Sequence, residues 1–207
     1  MVNLVQLRRA MVAVGRRLQE QGMIVAAEGN LSVRLGGHAF LVTPAGTAKG
    51  SLRPQDLLEV DLRGRCPQGR PTSEWPMHRA IYELRPDVAA VCHAHPPWAT
   101  AFAVIGRPLD GTLLTETAAL LPVVPVAERA LPGSEDVPAS IAPLIPRHDA
   151  ILLGSHGVVA VGGDLEAAYA LLETVERLAQ VTLLAELAGG DRNISLEDVL
   201  AIIGRRT

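Results

Sequence analysis

The residues of this chain best suited to chemistry are the histidines of His93-Ala94-His95 and of Ser155-His156-Gly157. The first pair closes an apolar run, Val88-Ala89-Ala90-Val91-Cys92, that reads as a buried strand. In an extended chain, positions i and i+2 point to the same side, so both imidazoles can face one ion. His156 follows a second apolar run, Ala150-Ile151-Leu152-Leu153-Gly154, and two such strands side by side bring it next to the pair. Three neutral nitrogen ligands with one exchangeable position form the arrangement of catalytic zinc. Cobalt or manganese also suits three histidines and a carboxylate. The carboxylate singled out is Glu74, at the start of a helix, where a negative charge is favourable in any case. Near a divalent ion a carboxylate ligates at rest and shuttles a proton once substrate displaces it.

The remaining histidines sort by context. His78 lies four residues after Glu74 on the same helix face, where it either orients the glutamate or is an ordinary helix residue. His38, in a Gly-Gly turn, and His148, in Pro-Arg-His-Asp, are expected in exposed loops without a catalytic role. Cys92 adjoins His93, so its side chain is expected on the opposite face, as a small buried apolar residue.

The elements that must position these groups follow from periodicity. Leu4, Leu7, Met11, Val14 and Leu18 recur at helical steps, which predicts an amphipathic helix over 3–21 with Gly22 as its C-cap. Strand-like pieces follow at 31–35, 39–43 and 57–61. Ser73 is expected to cap a helix running to Leu84, with Glu74 and Pro76 in its first turn and Arg85-Pro86 ending it. After the His93/His95 strand comes a helix over 97–105, then a Pro- and Gly-rich stretch, 106–137, with no assignable element. A helix over 137–145, strands at 150–153 and 158–161, and a long helix capped by Asp164 complete the pattern before Gly189-Gly190. Ser195-Leu196-Glu197-Asp198 opens a last short helix with a capping-box pattern. Strands and helices mix throughout, without repeats, which implies one α/β domain over 1–207 with a layered fold.

Composition narrows the class. A chain of 207 residues, 48% hydrophobic, can bury a substantial core. The net charge of −3 argues against a nucleic-acid surface. No apolar run approaches the ~20 residues needed to span a bilayer, and the first residues lack the pattern of a signal peptide. The only cysteines, Cys66 and Cys92, form no CxxC pair or disulfide framework, which fits a reducing cytoplasm.

Five segments taken together resemble the class II (zinc-dependent) aldolase/adducin-head family. They are Glu28-Gly29-Asn30-Leu31-Ser32-Val33-Arg34, Val42-Thr43-Pro44-Ala45-Gly46, Pro71-Thr72-Ser73-Glu74, His93-Ala94-His95-Pro96 and Ser155-His156-Gly157, in the family's order and spacing. The resemblance implies a central mixed sheet covered by helices, assembled as a homotetramer with active sites at subunit interfaces. It implies that His93, His95, His156 and Glu74 hold zinc, with Glu74 also the acid/base residue. It further implies that Gly29-Asn30, Ala45-Gly46 and Thr72-Ser73 cradle a substrate phosphate, a role suited to loop amides, hydroxyls and a helix N-terminus. The reaction implied is reversible aldol cleavage of a ketose 1-phosphate to dihydroxyacetone phosphate and an aldehyde through a zinc-stabilised enediolate.

The chain departs from the family pattern in three places. The aldolases carry a tyrosine after His-x-His that protonates the aldehyde oxygen, whereas residues 113–118 here are Leu-Leu-Thr-Glu-Thr-Ala. Glu116 takes that role or is a surface glutamate; Tyr82 and Tyr169 fall inside expected helices, as packing residues. Two cradle hydroxyls are replaced by Ala27 and Ala45, and Glu28 adds a negative charge nearby. Lys49 either compensates or is an exposed lysine without a role. The chain ends in Arg205-Arg206-Thr207, without the aromatic tail of some members. These departures keep decarboxylase or dehydratase chemistry open, as well as a 5-deoxypentulose phosphate substrate for which Trp98 and the apolar 118–126 stretch offer a surface. A non-enzymatic adducin-like module has no reason to keep a complete His/His/His/Glu set.

Overall fold

Alternation of apolar side chains across a central strand decides which groups reach the site. The computed structural model describes residues 3–190 and 193–204. It comprises α1 (Leu4–Glu20), β1 (Asn30–Gly36), β2 (Ala39–Val42), β3 (Leu58–Asp61), α2 (Trp75–Leu84), β4 (Ala90–Ala94), α3 (Pro97–Ile105), β5 (Leu109–Asp110), α4 (Thr115–Ala118), β6 (Val123–Val124), β7 (Val126–Ala127), α5 (Asp136–Ile141), β8 (Ala150–Leu153), β9 (Gly157–Gly162), α6 (Leu165–Leu187) and α7 (Leu196–Gly204). Seven strands form one sheet in the order β3-β2-β1-β4-β9-β8-β7. All neighbours are antiparallel except β7 and β8, which makes the sheet mixed. β5 and β6 form a separate ribbon.

Helices cover both faces, so the central strands are apolar on both sides. Ala90, Cys92 and Ala94 of β4 pack in the cluster shared with Met11, Phe102 and Leu172, from α1, α3 and α6. Val91 points the other way, into the cluster containing Met77 and Ile81 of α2 and Ile141 of α5. His93 shares the Val91 side by strand parity, and Cys92 faces away from it as expected. Each fully buried Leu, Ile or Met in these layers contributes roughly 1.5–3 kcal/mol.

Most expected elements are present. The helix over 97–105 and the strand over 150–153 match residue for residue, and Asp164 caps α6 by accepting from the Ala167 amide. Three local expectations are corrected. Ser73 does not cap α2: the cap position is Glu74, and the Thr72 hydroxyl accepts from the Glu74 amide at 3.2 Å. The helix expected over 137–145 stops as α5 at Ile141 and continues as turns, because Pro143 has no amide hydrogen to donate. The stretch 106–137 holds three two-residue strands and the four-residue α4, too short for any periodicity to register. The terminal Arg205-Arg206 lies outside the described residues. Among the described residues no helix is long and apolar enough to cross a membrane.

Candidate active site

Strand register assembles the centre. β4 pairs with β9 so that Ala94 lies opposite Val158, which puts His95 and His156 just beyond the same edge of the sheet. Gly157 makes the approach possible: a Cβ there would sit 2.5 Å from the Ala94 carbonyl oxygen and 2.7 Å from the His95 ring. On the other flank of β4, Asn30 lies opposite His93. The turn before α2 carries Glu74 in from the side, with its carboxylate spanning two imidazoles. Oε2 lies 3.1 Å from Nε2 of His93, and Oε1 lies 3.2 Å from Nε2 of His156. His93 and His95 approach through their Nε2 atoms at 3.1 Å. The metal-facing atoms of His93, His95 and His156 all lie within 4.8 Å of one another.

The chemistry of this donor set fits a cation. Nδ1 of His93 is 2.8 Å from the Val158 carbonyl oxygen, which only accepts, so Nδ1 carries the proton and Nε2 the lone pair. Nδ1 of His95 faces the Glu28 carboxylate at 3.5 Å, which favours the same tautomer. Lone pairs of two imidazoles and a carboxylate therefore point at one another, an arrangement favourable only with positive charge among them. His93 is fully buried, and burial drives its imidazole down to about 3, so the ring is neutral. Burial likewise lowers His95. Burial alone would raise the Glu74 carboxyl, but positive charge at His93 and His156, with the hydrogen bond from the Asn30 amide, outweighs it and holds the group well below the usual carboxylate range; where the rings are neutral, a bound cation would supply that charge.

A buried chain of hydrogen bonds stands behind Glu74. The Asn30 amide nitrogen donates to Glu74 Oε2 at 3.2 Å, which turns the Asn30 carbonyl oxygen toward His78 Nε2. His78 therefore donates from Nε2, and its Nδ1 accepts from the Ser32 hydroxyl at 2.6 Å. Ser32 in turn accepts from Tyr82 at 2.7 Å. Burial lowers His78 to about 4 and pushes Tyr82 up, so neither end of the chain ionises near neutrality. Of the two readings of His78, the structure favours the one that orients the glutamate, acting through Asn30. Tyr169 packs on α6 with its hydroxyl on Gln21 and Glu173.

The three expected anion loops meet near this centre. The Ala45 amide is taken by the Arg70 carbonyl and the Thr72 amide by Thr43, bonds that tie the second loop to the third. The backbone amides of Gly29, Gly46 and Ser73 find no acceptor among the described residues. Glu28 turns back on its own loop, accepting from the Val25 amide at 2.8 Å. Lys49 is not an exposed lysine: it is 3% exposed and donates to the Ala27 carbonyl at 2.6 Å. No motif announces this burial, because nothing local to Lys49 shows that α1 and the 25–29 loop close over it.

Glu116 stands apart. It is exposed on α4, accepts from the Thr115 hydroxyl at 3.0 Å, and lines a hollow of about 740 Å³ together with Met23, Trp98, Leu114 and Arg177. Among the described residues it makes no hydrogen bond or ion pair with the histidines or Glu74. A smaller hollow, about 420 Å³, opens on His156 beside Arg129 and Asp136.

A mixed sheet clad in helices carries three imidazoles and a carboxylate at one edge, a donor set suited to a metal ion. Residues 9–183 match the family model described as class II aldolase and adducin N-terminal domain, and the chain belongs to that family. It is 34% identical over 178 residues to a 5-methylthioribulose-1-phosphate/5-deoxyribulose-1-phosphate aldolase of Rhodospirillum rubrum, covering 85% of this chain and 80% of the relative. An L-fuculose-1-phosphate aldolase structure from Thermus thermophilus superimposes with a TM-score of 0.80 at 37% identity, covering 89% of this chain and 97% of that one. A further L-fuculose 1-phosphate aldolase superimposes with a TM-score of 0.88 at 28% identity, covering 97% and 96%. The chain is thus an enzyme of the class II aldolase type.

Proposed function

We propose that this enzyme reversibly cleaves a ketose 1-phosphate of the L-fuculose 1-phosphate type to dihydroxyacetone phosphate and an aldehyde. The observation that carries the reading is the Glu74 carboxylate spanning the His93 and His156 imidazoles, with Asn30 holding it from behind. His93, His95, His156 and Glu74 would hold a divalent ion, zinc by preference and cobalt or manganese as substitutes, which supplies Lewis acidity to the substrate carbonyl. Glu74 removes the proton from the carbon next to that carbonyl in condensation and returns it in cleavage. The amides of Gly29, Gly46 and Ser73, with Asn30, Ala45 and Thr72 shaping their loops, receive the phosphate. Glu116 protonates the aldehyde oxygen from a neighbouring subunit, in a cytoplasmic homotetramer with interface active sites.

A 5-deoxypentulose phosphate is the second substrate reading, supported by the Rhodospirillum relative and by Trp98 and Leu114 on the wall of the larger hollow. Incubation of the metal-loaded enzyme with L-fuculose and 5-deoxyribulose 1-phosphates, coupling dihydroxyacetone phosphate to NADH oxidation, separates the two. Chelator-sensitive release establishes the reaction and ranks the substrates. No release at full metal occupancy points to decarboxylase or dehydratase chemistry instead.

A further inference from the structure

A buried lysine without a carboxylate partner is rare, because taking an ammonium out of water is costly unless its charge is answered. Lys49 is in that position. It lies at the start of a short 3₁₀ turn, Lys49–Ser51, that packs on α1. The contact is close: a Cβ on Gly15 of α1 would lie 2.8 Å from the Lys49 carbonyl oxygen, so only glycine at 15 admits this backbone. The lysine is therefore anchored at its main chain and reaches inward. Its ammonium has three N–H donors, and among the described residues one acceptor is found, the Ala27 carbonyl at 2.6 Å.

The position of that ammonium relates it to the loops. Ala27 is two residues before Gly29, and Lys49 three after Gly46, so this one bond ties the first loop to the second. The bonds from Ala45 to Arg70 and from Thr72 to Thr43 tie the second to the third. Glu74 is near enough for its field to oppose the fall that burial imposes on the ammonium. That carboxylate is engaged with His93, His156 and Asn30 and does not bond Lys49.

We propose that Lys49 is the cationic element of the anion cradle and selects a dianionic phosphate monoester over its uncharged sugar. The proposal rests on the phosphate-binding part of the aldolase reading and adds to it a residue that supplies charge where Ala27 and Ala45 supply no hydroxyl. One buried ammonium with two free donors replaces two neutral hydroxyl bonds, and a charge-assisted bond is about twice as strong as a neutral one.

The test is direct binding of inorganic phosphate to the metal-loaded full chain by calorimetry, comparing wild type with Lys49→Met, which keeps the stem and removes the charge. Metal content and melting temperature are measured alongside. Loss of phosphate affinity by about ten- to a hundredfold, with metal content unchanged, is expected from one charge-assisted bond. Unchanged affinity overturns the proposal. If Lys49→Met does not fold, a wild-type crystal soaked in phosphate decides: an oxygen within hydrogen-bond distance of Nζ supports the assignment, and phosphate bound elsewhere or not at all refutes it. Phosphate binding through Lys49 without cleavage of any ketose 1-phosphate would keep this inference and remove the aldolase reading. Cleavage at equal kcat/KM in wild type and Lys49→Met would do the reverse.

Discussion

His93 donates from Nδ1 to the Val158 carbonyl across 2.8 Å, a bond from one strand to its antiparallel neighbour that fixes which ring nitrogen is left to bind an ion. The same strand pairing that builds the core thereby sets the tautomer of a buried ligand. Without an ion, the Nε2 lone pair of His93 faces the Glu74 carboxylate at 3.1 Å, which is unfavourable. Chelation should therefore lower the melting temperature, and zinc, cobalt or manganese should restore it. At a free ion concentration a hundredfold above Kd, linkage gives about 2.7 kcal/mol, or about 5–10 °C for a chain of this size. Differential scanning fluorimetry with and without chelator checks this, and identical melting curves would rule out an ion at the histidines.

Glu74→Gln separates holding the ion from moving the proton. The amide keeps one oxygen donor but has no basicity, so metal should remain bound while turnover falls by about 10²–10⁴, the range of general acid–base catalysis. Metal content and steady-state rate on the same preparation give the answer. Turnover near the wild-type level would falsify the role assigned to Glu74.

The link from His78 through Asn30 to Glu74 predicts an effect at a residue that touches no substrate. His78→Phe leaves the Asn30 carbonyl and the Ser32 hydroxyl unsatisfied in a buried site. Each orphaned group costs about 1–3 kcal/mol, so the melting temperature should drop by several degrees. If the link positions Glu74, the variant also binds metal more weakly, whereas a purely structural role lowers stability and leaves metal affinity intact. Isothermal titration of the ion into both proteins distinguishes these.

The pH dependence of stability follows from the same buried groups. In the metal-free protein His78 is held near 4 and His93 near 3 by burial, against an ordinary value of 6.5. Between those limits the unfolded chain takes up protons that the folded one refuses, so stability falls as pH drops from about 6.5 toward 4. His78 alone accounts for about 3 kcal/mol of that loss. Urea midpoints at pH 7 and pH 5 measure it, and equal midpoints would show that these rings are not buried neutral.

The histidine triad was legible because strand parity and two apolar runs place His93, His95 and His156 at one sheet edge. α1, α3 and α6 were legible because each repeats apolar residues over several turns. The burial of Lys49, the bonds of Asn30 to Glu74 and His78, and the cap of α2 were not, for a common reason. Lys49 is buried by α1 and the 25–29 loop, and Asn30 is fixed by Glu74 and His78 from another element. Ser73 is a good cap by type, yet the cap position falls on Glu74, whose amide donates to the Thr72 hydroxyl, while the Thr72 amide is held by Thr43. In each case tertiary contacts chose among side chains that local propensity leaves equivalent.

Glu116 gives the sharpest test of the assembly. In a single chain it lines the hollow with Trp98 and Arg177, with no bond to the histidine centre among the described residues. If it serves a neighbouring subunit's site, then Glu116→Ala and Glu74→Gln are each inactive alone, yet mixed oligomers contain interfaces where an intact Glu74 meets an intact Glu116. Unfolding and refolding the two variants together should therefore recover a fraction of wild-type turnover, up to about a quarter in a random mixture, since each such interface needs both intact residues. Refolding either variant alone provides the baseline. A mixture no more active than its components would place Glu116 outside the chemistry, and near-wild-type turnover of Glu116→Ala by itself would make it an ordinary surface glutamate on α4.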